Sequence, residues 1–191
     1  SKIQVIQVIG ASGGKSDTNV DGPDLAALLA RKLNATHKFL HSPLFLDSEN
    51  ALISLKNQKQ IKSTLELAYQ SSIVLLGVGT IDADPVYSSL FRSGFLDEQE
   101  VVAIKNQGGV ANLCGVILDE NGRILENELN RRTMAVDMER LKLNGCKLIG
   151  IAVGSKKSQA IEAVLRGSWL DILFTDSLTA RQILELQRVE V

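Results

Sequence analysis

The residues able to do chemistry in this chain gather where apolar runs end in glycine. Gly10, Gly13 and Gly14 follow the first such run, Gly77 and Gly79 follow Ile73–Leu76, and Gly154 follows Leu148–Val153. At the carboxyl ends of strands in an open α/β sheet, backbone N–H groups and helix N-termini can face an anion with no Cβ in the way. A phosphorylated small molecule is the ligand that such an arrangement takes. Any one of these glycines is as readily a tight turn between strand and helix, so the ligand reading rests on their joint placement. The loop Gly10-Ala11-Ser12-Gly13-Gly14-Lys15-Ser16 looks like a nucleotide P-loop but fails on spacing. The position that should hold its first glycine is Ile9, and the next helix waits until Pro23 instead of starting at Lys15. It serves as an anion cradle with Ser12 and the flanking amides as donors. Gly77-Val78-Gly79-Thr80 is half of a dinucleotide fingerprint, without the third glycine.

Two basic pairs stand out, Arg131-Arg132 and Lys156-Lys157. Lys157 comes just after Gly154 and opens the helical run Ala160–Arg166, so its ammonium and the helix N-terminus can hold one phosphate together. Helical geometry turns Lys156 about 100° away and leaves it facing solvent. Other chemistries find less support. His37 and His41 have the spacing of zinc ligands on a helix, but their segment reads as a short strand with no acidic third ligand, so no metal site is expected. With only 2 histidines and no Ser/His/Asp pattern, a nucleophilic hydrolase is not indicated. Asp82 and Asp84 form the one acidic cluster at a glycine strand end. Asp84 before Pro85 reads as the N-cap of a Val86–Arg92 helix rather than as a general base. No catalytic residue and no cofactor are assigned, and Cys114 reads as a buried thiol.

The scaffold that must position these groups alternates strand and helix. Ile3–Ile9, Ile73–Leu76, Lys147–Val153 and Leu170–Phe174 are short and apolar on successive residues, as strands buried on both faces are. Helical spacing joins Leu25, Leu28, Leu29 and Leu33; Ile61, Leu65 and Ala68; Ala160, Ile161, Val164 and Leu165; and Ala180, Ile183 and Leu184. Pro23 and Asp24 mark a helix start, and Gly167 a stop. The expected class is α/β, a mainly parallel sheet with helices on both faces. One small antiparallel excursion is expected around residues 113–125, turning at Asp119-Glu120-Asn121-Gly122.

A chain of 191 residues, 45% apolar and 23% charged, suits a single domain over residues 1–191. With 21 Lys+Arg against 22 Asp+Glu it has no cation excess for binding nucleic acid by itself. Its apolar runs are too short to cross a bilayer, and the first residues carry no signal-peptide pattern. Cys114 and Cys146 are too few for a disulfide scaffold, which favours a reducing cytoplasm.

Five segments, in order, carry a family resemblance: Phe39-Leu40-His41-Ser42-Pro43; Leu76-Gly77-Val78-Gly79-Thr80; Gly108-Gly109-Val110-Ala111-Asn112-Leu113-Cys114-Gly115; Val153-Gly154-Ser155-Lys156-Lys157-Ser158-Gln159-Ala160-Ile161; and Thr175-Asp176-Ser177-Leu178-Thr179-Ala180. Over nearly its whole length the chain resembles the sugar-binding effector domain of the SorC/DeoR family of bacterial transcriptional regulators. The resemblance implies the fold of glucosamine-6-phosphate deaminase and ribose-5-phosphate isomerase, a phosphorylated sugar as effector, and a homodimer or homotetramer. It also implies a helix-turn-helix DNA-binding module before Ser1, through which alone DNA would be bound. Carried over by residue, Gly10, Ser12, Gly13, Gly77 and Gly79 frame the ligand, while Asn112 and Lys157 reach its hydroxyls and phosphate. Where the family commonly has Gly-Ala-Val-Gly-Asp, this chain has Gly109-Val110-Ala111-Asn112, an amide that both donates and accepts in place of a carboxylate. The enzymatic branch of the same fold, a sugar-phosphate isomerase or deaminase, is the alternative reading, and a pure oligomerisation module a third.

Overall fold

The computed structural model describes residues 3–12 and 21–188. In chain order the first half runs β1 (Gln4–Ile6), α1 (Gly22–Lys32), β2 (Thr36–Lys38), α2 (Glu49–Lys56), α3 (Lys59–Ala68), β3 (Ile73–Leu76), β4 (Val78–Thr80), α4 (Ser89–Arg92) and α5 (Glu98–Asn106). The second half runs β5 (Ala111–Leu113), β6 (Val116–Leu118), α6 (Glu128–Arg131), α7 (Met138–Leu143), β7 (Lys147–Ile151), a 3-10 turn (Ser155–Lys157), α8 (Ser158–Arg166), β8 (Ile172–Phe174) and α9 (Ser177–Arg188). The chain packs as two compact units, one of Ser1–Ser71 with Asn127–Gly145, the other of Ser72–Glu126 with Cys146–Val191.

In the first unit β1 and β2 pair in parallel, with Val5 opposite His37. Between them α1 starts where Pro23 and Asp24 predicted. Asp21 caps the Gly22 amide at 2.6 Å and Asp24 reaches back to the Asp21 amide, a reciprocal box that satisfies donors the helix cannot. Its buried positions are Ala26 and Ala30, whereas Leu25, Leu28 and Leu33, expected to face the core, are exposed. After β1 the chain is stitched to two distant segments. Gly10 N–H donates to Met134 O at 2.8 Å, Ala11 N–H donates to Ser42 O, and Leu44 N–H donates to Ala11 O. A Cβ on Gly10 would lie 2.2 Å from Pro43 O, so this position needs glycine for backbone contact. Tyr69 and α7 close the unit: the Arg140 guanidinium stacks 3.9 Å over the Tyr69 ring and forks onto Glu66, and Asp137 N–H donates to the Tyr69 hydroxyl.

The second unit holds a parallel sheet of order β3-β7-β8 and an antiparallel sheet of order β4-β5-β6. The chain passes from the first sheet to the second at Gly77, the one residue between β3 and β4. Two expectations change here. The Ile3–Ile9 run does not join the later parallel strands: only Gln4–Ile6 is a strand, and it pairs with β2 in a sheet of its own. The antiparallel part is also larger than a hairpin, because β4 pairs along β5, with Gly79 opposite Asn112. The hairpin expected over residues 113–125 resolves into two turns. Cys114 and Gly115, with φ of 54° and 80°, make a two-residue turn between β5 and β6. Asp119–Gly122 then returns the chain so that Leu118 bridges Ile124. Gly122 (φ 74°) packs against the C-terminal turn of α8, where a Cβ would lie 2.3 Å from Ala163 O, and its own carbonyl accepts the Trp169 indole N–H at 2.6 Å.

Burial along β3, β7 and β8 alternates instead of being continuous. Val74, Leu76 and Leu148 point inward and are buried, whereas Ile73, Leu75, Ile151, Ile172 and Phe174 are exposed. The expectation of helices on both faces of this sheet therefore fails for one face among the described residues. The buried face of α8 (Ala160, Ile161, Ala163, Val164) packs instead on β4, β5 and α9.

Candidate functional site

The second unit brings Gly77, Gly79, Asn112 and Lys157 to one place. Lys157, in the 3-10 turn after Gly154, sends its ammonium to Val78 O at 3.1 Å, between the two glycines. Opposite Gly79 in the ladder, Asn112 is buried, and its Oδ1 has no hydrogen-bond partner. A Cβ on Gly79 would come 3.2 Å from Asn112 Nδ2, so this glycine makes room for the amide. A Cβ on Gly77 would meet only Ile151 O, at 3.9 Å, so packing does not demand glycine there.

The turn that carries Lys157 is itself held. Gly154 takes φ 114°, open to glycine, and its N–H is shared between Asp176 Oδ2 at 3.2 Å and Thr179 Oγ1 at 3.0 Å. Asp176 also accepts from the Thr179 amide and hydroxyl, and these bonds, the amide foremost, hold its carboxyl below the usual carboxylate range. α8 begins directly after, with no side chain capping its first amides.

Lys157 differs from its neighbour. Burial lowers its ammonium pKa, and the Arg92 guanidinium lowers it further. No carboxylate lies within ion-pair distance of Lys157 among the described residues. Lys156 is exposed, as expected, and its ammonium sits 3.5 Å from Asp84 Oδ2 and 4.7 Å from the Tyr87 ring centre. It ties the 3-10 turn to the loop before α4. Asp84 departs from expectation: its carboxylate accepts from Val86 N–H, but the N-cap of α4 is Ser88, whose Oγ accepts from Phe91 N–H. The remaining predicted residues lie in the first unit. Gly10 is committed to the backbone stitch described above, Ser12 N–H donates to Asp21 Oδ1 at 3.1 Å, and Gly13 lies outside the described residues.

The Sugar-bind model, of a sugar-binding domain, matches residues 1–185. The chain belongs to the Sugar-bind family. The deoxyribonucleoside regulator of Bacillus subtilis (strain 168) is 27% identical to this Sugar-bind chain over 184 residues, 95% of this chain and 57% of the relative. The erythritol catabolism regulatory protein EryD of Brucella abortus (strain 2308) is 29% identical over 161 residues, 84% of this chain and 49% of the relative. A structure solved as the sugar-binding domain of a transcriptional repressor from Vibrio fischeri superposes with a TM-score of 0.82 at 22% identity, over 98% of this chain and 71% of that one. That likeness concerns the fold alone. The chain spans about half the length of the relatives it matches. Those relatives are transcriptional regulators of the SorC/DeoR type, not enzymes.

Sequence reasoning missed three parts of this site. Arg92 is a lone arginine in a four-residue helix and carries no pattern. Tyr87 and Asp84 matter only through Lys156, a contact across the fold. Asp176 and Thr179 were legible, since an acidic residue three positions before threonine at a helix start is a capping signature.

Proposed function

We propose that this chain is the ligand-sensing domain of a bacterial regulator of carbohydrate metabolism, and that its effector is a phosphorylated sugar. One observation carries this: Lys157 is a half-buried cation with a second cation, Arg92, near it and no carboxylate to neutralise it among the described residues. Desolvating a cation beside another cation is unfavourable, and a phosphate relieves both. The unpartnered Oδ1 of buried Asn112 supplies an acceptor for a sugar hydroxyl. Gly79 makes room for that amide beside the backbone of β4.

The wider reading rests on the family resemblance. The likeness to glucosamine-6-phosphate deaminase and ribose-5-phosphate isomerase, a cytoplasmic location, assembly into a homodimer or homotetramer, and DNA binding through a separate helix-turn-helix module all belong to this proposal. Sugar phosphates and the matching free sugars, added in turn while unfolding temperature and turnover are followed, test it. A ligand that binds only the folded state adds about 2.7 kcal/mol at 100 times its Kd. Stabilisation by the phosphorylated sugar alone, without turnover, is the expected result. Equal stabilisation by the free sugar removes the phosphate from the proposal, and turnover transfers the chain to the isomerase and deaminase branch.

A further inference from the structure

Strand β2 has one open edge. Thr36 N–H donates to Ile3 O at 3.2 Å and Lys38 O accepts from Gln7 N–H at 3.0 Å, so these two residues turn backbone groups toward β1. Alternate residues of a strand paired in this way direct their backbone groups to the opposite edge, which sends the N–H and C=O of His37 and Phe39 outward. β1 is the only strand partner of β2, and those outward groups have no partner among the described residues. The next amide, of Leu40, is already taken by Gln7 Oε1 at 3.3 Å.

An open edge is a template for another strand, and proteins usually blunt or cover it. Here it borders a groove of about 420 Å³, lined on one side by His37, Phe39 and His41 and on the other by Gln60, Ser63 and Thr64 from the first two turns of α3. The three rings form a continuous stripe, with Phe39 4.7 Å from His37 and 6.0 Å from His41 between centres. Ser63 Oγ and Thr64 Oγ1 both donate to Gln60 O, which leaves their lone pairs to accept. A strand edge facing a helix across a groove suits an extended peptide that adds as a further strand. Its main chain hydrogen-bonds to the edge while alternate side chains enter the groove.

Charge selects the occupant. Residues 33–46 contain Lys38 and no carboxylate, and the exposed Lys59 and Lys62 are interleaved with the groove residues of α3. The first carboxylate of α3, Glu66, is held by Arg140. A second copy of β2 laid on this edge would bring basic strand against basic strand, and like charges on paired strands are unfavourable. We propose that the groove between β2 and α3 binds an extended acidic segment of a partner protein, which adds as a strand at His37 and Phe39. The carboxylates of that segment offset the charge of Lys38, Lys59 and Lys62. The site lies within the first unit and does not depend on the sugar-phosphate reading.

The test uses this chain with a fluorescein-labelled, end-blocked peptide of three Glu-Val repeats. A Lys-Val counterpart and a fully N-methylated Glu-Val peptide, which cannot donate from its main chain, serve as comparisons. Fluorescence anisotropy should show saturable binding of the Glu-Val peptide and at least about tenfold weaker binding of the other two. Amide hydrogen exchange at His37 and Phe39 should be fast in the free protein and at least about tenfold slower with the Glu-Val peptide bound. Ser63→Tyr, at an exposed position, fills the groove from α3 and should remove binding while the circular dichroism melt is kept. The proposal is overturned if the Glu-Val peptide does not bind, if the Lys-Val peptide binds equally, or if the folded Ser63→Tyr variant keeps the parent Kd. Binding that leaves exchange at His37 and Phe39 unchanged overturns it too. Slow exchange there without peptide assigns the edge to a second copy where dilution restores fast exchange, and to this chain itself where it does not; either result removes the partner segment.

Discussion

Replacing Lys157 with Met separates the phosphate reading from a structural reading of the same lysine. Met retains most of the apolar stem and removes the charge. In the free protein the change loses one hydrogen bond, to Val78 O at 3.1 Å, and relieves the repulsion between Lys157 and Arg92. A single net hydrogen bond contributes about 1 kcal/mol, so folding stability should move by no more than that. In the complex the loss is a hydrogen bond to a charged group, about 1.5–3 kcal/mol, or about 10- to 150-fold in Kd. Lys156→Met is the graded comparison. Its ion pair with Asp84 joins side chains 58% and 34% exposed, and exposed pairs contribute about 0–1 kcal/mol. Loosening the loop before α4 through Lys156 should therefore cost less than about tenfold in affinity. Calorimetric titration of both variants with the sugar phosphate that best stabilises the protein, beside circular dichroism melts, gives the answer. Equal losses for the two lysines, or a Kd for Lys157→Met unchanged from the parent, would refute the assignment of Lys157 to the phosphate.

Further expectations follow from the same geometry. Because burial and Arg92 lower the Lys157 pKa, sugar-phosphate affinity should fall as pH rises through a titration below that of an ordinary lysine, and this alkaline limb should vanish in Lys157→Met; titrations across alkaline pH read it directly. Gly79→Ala places a methyl 3.2 Å from Asn112 Nδ2 and should weaken ligand binding more than it changes the urea midpoint. Gly122→Ala should destabilise by about 2–5 kcal/mol, from about 1–2 for a positive φ and about 1–3 for a stranded Trp169 donor, measured by urea unfolding. The depressed carboxyl of Asp176 contributes stability that is present above its unfolded pKa and lost as pH falls through the folded one, so Asp176→Asn should flatten the acid limb of a stability profile.

What the sequence shows of this fold depends on how local the determinant is. The start of α1 was legible because Asp21, Pro23 and Asp24 act within one turn. The turn at Asp119–Gly122 was legible for the same reason: Asp119 Oδ1 accepts from the Asn121 and Arg123 amides a few residues on. Strand partnership was not, since Ile3–Ile9 and Lys147–Val153 are alike as apolar runs and nothing local says which neighbours they choose. The leucines of α1 misled for a related reason, because periodicity names a face but not whether anything covers it. In the site, Gly79, Asn112 and Lys157 could be singled out one by one, while their convergence through the β4-β5 register and the contact on Val78 O lies beyond any local pattern. Cys114 was read as a buried thiol, and burial pushes it up to about 12, which keeps it protonated and inert.

The interleaving of the two units bears on how the chain is made. Gly10 N–H reaches Met134 O, and Val136 N–H reaches Val8 O, so the first unit lacks these partners until residues 127–145 have left the ribosome. By then Ser72–Glu126 has emerged too, still without β7, which must come between β3 and β8. Neither unit can close on the way out, and the apolar edge of β3 waits for Lys147–Ile151 through more than seventy residues of synthesis. Pairings this distant in sequence are slow to form and expose strand edges meanwhile, which makes the nascent chain a natural client for chaperones. A chain ending at Glu126 would carry the larger part of each unit and complete neither.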